Sequence, residues 1–316
     1  MIRRVLVPLD GSRMAEAALG HAAAIVTALG AGLVLLRVVE GRAALTDPAA
    51  ASVDWRLRRV EAEAYLRQVA ARLSEEGVEA ATEVVEGKAA DEIVQFVRGR
   101  AVDLVVLAAH GRGAAREFPF GGTVHKVLAS APASVMVIRP PSEGAPSTAR
   151  VVYRRILVPV DGSPASEWAL CLAASVARGH GAELLILQVV PDPELTCERL
   201  PRSAEETELL GRLQELQRER GLRYLREMEA KLAQEDLPVR CRVVGAAQIA
   251  EGVQEVAVEE GADLVALSAH GTAEAAFPYG KVAQRLLARS PVPVLVFQDL
   301  PAAVRGGLPA AKASAR

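Results

Sequence analysis

Short apolar runs of strand length alternate along this chain with longer runs whose apolar residues recur at helical spacing. "RVLVPL" is β-branched and apolar on both faces, which predicts a buried strand. "SRMAEAALGHAAAIVTALG" follows, rich in Ala and Leu, with Ser12 placed to cap a helix and Gly30 to end it. The series continues with strand "GLVLLRVV", a helix around 54–76, strand "EAATEVV", a helix over 88–99 and strand "VDLVVLAA". A glycine-rich loop, a short helix near 122–130 and strand "SVMVI" complete it. Five strands separated by four helices predict an α/β fold, a doubly wound five-stranded parallel sheet with helices on both faces and right-handed crossovers.

The pattern then repeats. "RRVLVPLDGS" at 3–12 returns as "RRILVPVDGS" at 154–163, and "AVDLVVLAAHG" at 101–111 returns as "GADLVALSAHG" at 261–271. "FPFGGTV" from 118 returns as "FPYGKV" from 277, in the same order. Three matched blocks in one order mean a tandem duplication, the second copy differing by a longer charged helix over about 203–236. Residues 1–140 and 153–300 are read as two domains, 141–152 as a Pro/Ser/Gly-rich linker and 301–316 as a disordered tail. The apolar last strands, "SVMVI" and "PVLVF", would each leave an exposed edge in a lone domain. They are therefore expected to join the halves as an intramolecular pseudo-two-fold dimer, with Pro293 limiting pairing at the start of the second.

Composition narrows the function classes. The chain is 51% apolar, yet no run approaches the ~18 residues of a membrane span, and the N-terminus reads as a strand rather than a signal segment. A net charge of −2 and 3% aromatic residues give no surface for nucleic acid or acidic lipid. Cys171, Cys197 and Cys241 are odd in number and form no CxxC, which speaks against a disulfide framework and a zinc site. The expectation is a cytoplasmic protein with neither a membrane nor a nucleic-acid partner.

Ligands of doubly wound sheets bind beyond the carboxyl ends of strands, where strand order reverses. The first strand ends in "PLDGS", with Pro8 fixing the backbone and Asp10 at the tip; the fourth ends in "AAHGRG". If these strands are neighbours, Asp10 faces a glycine loop whose N–H groups, with the helix start near 122, suit a mononucleotide phosphate. Asp-Gly-Ser equally serves as a turn and N-cap without a ligand. Ser12 and Ser163 lie in no G-x-S-x-G elbow, and no Walker motif occurs. His110 and His270 have no second ligand at metal spacing and are read as loop residues.

"ILVPVDGS", "ADLV…SAHG" and the closing "SPVPVLVF" together resemble the universal stress protein family, over 3–139 and 154–298. The resemblance implies a five-stranded doubly wound domain whose last strand often pairs across a dimer. In some members it implies ATP held by a loop of pattern G-x-x-G-x9-G-[ST]. In the first half that pattern falls on Ala108, Gly111, Gly121 and Gly122, with Thr123 one place late and Arg112 within reach of phosphate. In the second it falls on Ser268, Gly271, Gly280 and Lys281, with a loop one residue shorter. Pro8, Asp10 and Val38, and Pro159, Asp161 and Val189, complete the implied contacts, the two valines through their backbone.

Three readings follow in order. The first is a non-catalytic stress protein binding ATP or another adenine nucleotide, with or without Mg. The second is a nucleotide-free scaffold for protein partners, with a homodimer left open. The third is an adenylyl-transferring enzyme, for which neither "PLDGS" nor "PVDGS" offers the expected motif.

Overall fold

The computed structural model describes residues 2–40, 48–111, 119–139, 151–191, 204–232, 237–271 and 278–298. The predicted linker core and the tail lie outside them. The first half runs β1 (Arg4–Pro8), α1 (Arg13–Leu29), β2 (Gly32–Val39), α2 (Pro48–Glu75), β3 (Ala80–Glu86), α3 (Ala89–Gly99), β4 (Leu104–Ala108), α4 (Gly122–Ser130) and β5 (Ser134–Ile138). The second runs β6 (Arg155–Pro159), α5 (Pro164–His180), β7 (Glu183–Pro191), α6 (Ala204–Leu232), β8 (Val239–Ala246), α7 (Ile249–Glu259), β9 (Leu264–Ser268), α8 (Lys281–Arg289) and β10 (Val294–Phe297).

Caps act where the sequence places them. Ser12 Oγ accepts from Ala15 N at 3.1 Å to start α1, and Gly30 ends it in the left-handed region at φ 63°. Ser163 and Gly181 do the same for α5. Helix α2 starts at Pro48, earlier than its apolar pattern indicates. Proline suits a first helical position because no N–H is needed there.

The ten strands form one sheet in the order β3-β2-β1-β4-β5-β10-β9-β6-β7-β8. Pairing is parallel within each half. At the seam β10 runs antiparallel to β5, with Val294 opposite Val137 and Val296 opposite Val135. The expected pseudo-dimer is thus built by the two apolar last strands, and β10 begins just after Pro293. Alternation divides the side chains between two cores: Val5 and Val7 enter one, Leu6 the other. At the seam Met136 and Leu295 enter the first, while Val135, Val137, Val294 and Val296 enter the second. Each such burial contributes about 1.5–3 kcal/mol, so the seam is a continuation of the core.

Helices α1 and α5 reinforce it on one face. Gly179 lies so close to Ala28 that a Cβ there would stand 2.6 Å from Ala28 Cα. Beside this crossing, His21 Nδ1 meets the fully buried Tyr153 hydroxyl at 2.9 Å, and Tyr153 sits edge-on to His180. No described helix is long and apolar enough to cross a membrane.

Candidate functional site

In the first half strand order reverses between β1 and β4, which are paired neighbours. A cleft of about 1010 Å³ opens beyond their carboxyl ends. Its floor comes from Pro8, Asp10, Gly11, Val38, Ala108 and Gly111, and one wall from Gly121, Gly122 and Thr123.

Asp10 is held by the chain that follows it. Its Oδ1 accepts from Ser12 N at 2.8 Å and from Ser12 Oγ at 2.5 Å, closing a turn that passes through Gly11 at φ 77°. The other carboxylate oxygen abuts Gly111, where any Cβ would collide with Oδ2. The glycine of the loop is therefore set by the aspartate of the first strand. The second half repeats this: Asp161 Oδ1 accepts from Ser163 N at 3.0 Å, and a Cβ on Gly271 would strike Asp161 Oδ2. In each half one carboxylate oxygen closes the turn before the helix, and the other lies against the loop glycine.

The loops return to the sheet alike. Gly121 N donates to Ala109 O at 3.0 Å, and Gly280 N to Ala269 O at 2.7 Å. Helices α4 and α8 then begin without a capping side chain. Their first N–H groups have no carbonyl a turn earlier within the helix, which leaves donors and a partial positive charge there, and those of α4 lie at the cleft wall. Gly121 itself is extended, at φ −66°, and does not use left-handed backbone. Ala108 is an ordinary β4 residue opposite Ile138, and its departure from the glycine pattern brings no backbone strain. Arg112 lies outside the described residues.

The cleft also has walls that the motifs do not mark. Arg37 on β2 donates to Leu9 O at 3.2 Å and lies 5.8 Å from the centre of the Tyr65 ring. Tyr65 in turn donates to Glu16 at 2.9 Å, and burial, then that carboxylate, raises its pKa above the usual phenol value. Arg58, Glu61 and Ala62 of α2 and Ala89 and Ile93 of α3 line the remainder. A lone arginine within "GLVLLRVV" was the readable signal; the helix faces were not.

The second half brings the corresponding residues together with different chemistry. Pro159 ends β6, Val189 lies in β7, and Ser268 ends β9 with its Oγ donating to His270 O at 2.6 Å. Lys281, exposed, is the first residue of α8, where the first half has Gly122. Gln188 stands at the register position of Arg37, with Oε1 facing Gly221. A Cβ on Gly252 would lie 3.1 Å from a Val189 methyl, so α7 approaches β7 closely here.

Comparison with known proteins agrees with this arrangement. The Universal stress protein family profile matches residues 1–139 and 152–298. A universal stress protein of Methanocaldococcus jannaschii is 28% identical over 145 residues, covering 45% of this chain and 85% of that protein. One from Bacillus subtilis is 27% identical over 150 residues, covering 44% and 100%. The crystal structure of a universal stress protein from Archaeoglobus fulgidus shares the fold at a TM-score of 0.66, with 19% identity over 93% of this chain and 98% of that one. With both halves matched and both built on the same sheet and strand-tip aspartate, the chain belongs to the universal stress protein family.

Proposed function

We propose that the first half binds ATP or another adenine nucleotide without turning it over, and that this occupancy is what the protein contributes to a stress response. The observation that carries this reading is the cleft at the strand-order reversal, where Asp10, Gly111 and the uncapped start of α4 converge. Its volume, about 1010 Å³, reaches the upper end of ordinary small-ligand sites. Val38 and Pro8 offer an apolar floor for a base, Asp10 and Arg37 polar groups beside it, and the α4 amides a place for phosphates. Mg²⁺ would arrive on the phosphates. Ser12 Oγ is engaged as donor to Asp10 and acceptor from Ala15, which supports a capping rather than a nucleophilic role.

The second half favours a scaffold role. Its loop is shorter, Lys281 replaces the small residue at the helix start, and Gln188 replaces the Arg37 cation. Mass spectrometry of ligand released from gently purified protein tests the proposal. An adenine nucleotide at no more than about one per chain is expected. Protein that carries none, and takes up none at millimolar ATP, refutes it.

A further inference from the structure

Arg139 follows β5 at the seam and touches both halves. Its Nη1 donates to Pro119 O at 3.2 Å, and its guanidinium lies 5.5 Å from the centre of the Phe120 ring. Pro119 and Phe120 immediately precede Gly121 and Gly122, the residues that start α4 at the cleft wall. Its Nη2 reaches across the seam and donates to Leu287 O at 2.8 Å and Ala288 O at 2.6 Å. Those carbonyls belong to the last turn of α8, where a cation complements the helix dipole and satisfies groups with no partner inside the helix.

The second half solves the same problem with a neutral side chain. Gln298 follows β10, its N donates to Ser134 Oγ at 3.2 Å, and its Nε2 donates to Pro278 O at 3.3 Å. Pro278 is the counterpart of Pro119 in the repeated "FP" segment. In both halves, then, the residue after the last strand holds the carbonyl two residues before the N-cap glycine. Both residues also reach across the seam, Gln298 through its backbone N to Ser134 of β5 and Arg139 through its side chain to the two α8 carbonyls.

Resting on the nucleotide reading above, we infer that Arg139 is a positioning residue for the phosphate end of the first-half cleft, and that it makes that end depend on α8 of the second half. A phosphate bound at the start of α4 needs Gly121–Thr123 fixed. The planar, permanently charged guanidinium bonds the loop carbonyl, stacks on Phe120 and anchors on two α8 carbonyls at once. A tandem chain guarantees that the anchoring helix is always present.

The test uses the full chain with Arg139→Ala and Arg139→Gln. Calorimetry compares ATP with adenosine, which fills the base and ribose positions but lacks phosphates. Arg139→Ala should weaken ATP about tenfold, equivalent to ~1.4 kcal/mol, and leave adenosine unchanged. Arg139→Gln, which can bond Pro119 O as Gln298 bonds Pro278 O, should recover part of the loss. Equal loss for both ligands, or no loss for either, overturns the assignment. Hydrogen exchange of the ligand-free protein gives a readout that does not require binding. The amides of Gly121 and His125, which donate to Ala109 O and Gly121 O, should exchange faster in Arg139→Ala than in wild type, with Arg139→Gln between. Unchanged protection there overturns the role even if no nucleotide binds, whereas altered protection without ATP binding refutes the nucleotide reading instead.

Discussion

Substitution of Gly111 by alanine places a methyl group against Asp10 Oδ2. The carboxylate cannot turn away freely, because its other oxygen holds Ser12 N at 2.8 Å and Ser12 Oγ at 2.5 Å. Hydrogen bonds to a charged group are worth about 1.5–3 kcal/mol each, so the strain falls on the loop backbone instead. The methyl should cost ~1–3 kcal/mol, the usual range for overpacking a closed contact. The collision makes a further demand. In an Asp10→Ala background the obstructing oxygen is gone, so Gly111→Ala should cost little, and the two effects should couple by ~1–3 kcal/mol. Urea denaturation followed by circular dichroism, at matched m-values, measures all four corners of the cycle. The same cycle on Asp161 and Gly271 is an independent repeat. If the two substitutions are additive, the carboxylate does not select glycine and the reasoning fails.

Three further outcomes are expected. Burial lowers the pKa of His21, beside Tyr153 and His180, from the ordinary 6.5 to about 4. The unfolded chain therefore takes up this proton first as pH falls, and stability should decline between about pH 6.5 and 4 by up to ~3 kcal/mol from this group; a His21→Gln variant that keeps the full slope in a urea–pH series would remove His21 as its source. Gly179→Ala meets the Ala28 backbone and should destabilise the α1–α5 crossing by ~1–3 kcal/mol, whereas Gly211→Ala in α6, with nothing within 4 Å, should stabilise by up to ~1 kcal/mol; melting temperatures moving in the same direction contradict this. Gly122→Ser, where a Cβ likewise meets nothing within 4 Å, should add a hydroxyl to the α4 start and tighten ATP about tenfold, and weaker binding in calorimetry counts against phosphates lying there.

Most of the architecture was legible because its signals are local. Ser12 and Gly30 bracket α1 through their own backbone preferences, and "SVMVI" and "PVLVF" declare edges that water would not tolerate. The proximity of Asp10 to Gly111 followed from the doubly wound strand order, which makes β1 and β4 neighbours. What stayed hidden depends on how distant surfaces meet. Nothing near Tyr65 or Ala62 marks the face of α2 that covers the cleft. Arg139 opens the Pro/Ser/Gly-rich run between the halves and carries no local mark of its role, since its α8 carbonyl partners lie 148 and 149 residues away. His21 sits in a helical run, and Tyr153 precedes a strand, until folding brings them within 2.9 Å. Whether a methyl at Ala108 would strain the loop depends on the local backbone, which is that of an ordinary strand residue paired with Ile138.

The first-half cleft, organised by Asp10, is the nucleotide site proposed here. Titration calorimetry of the full chain with ATP, in wild type, Asp10→Ala and Asp161→Ala, tests it most directly. Saturable binding near one ATP per chain is expected, lost or weakened at least tenfold in Asp10→Ala and little changed in Asp161→Ala. Absence of binding at millimolar ATP, or binding that Asp10→Ala leaves intact in a folded protein, contradicts it.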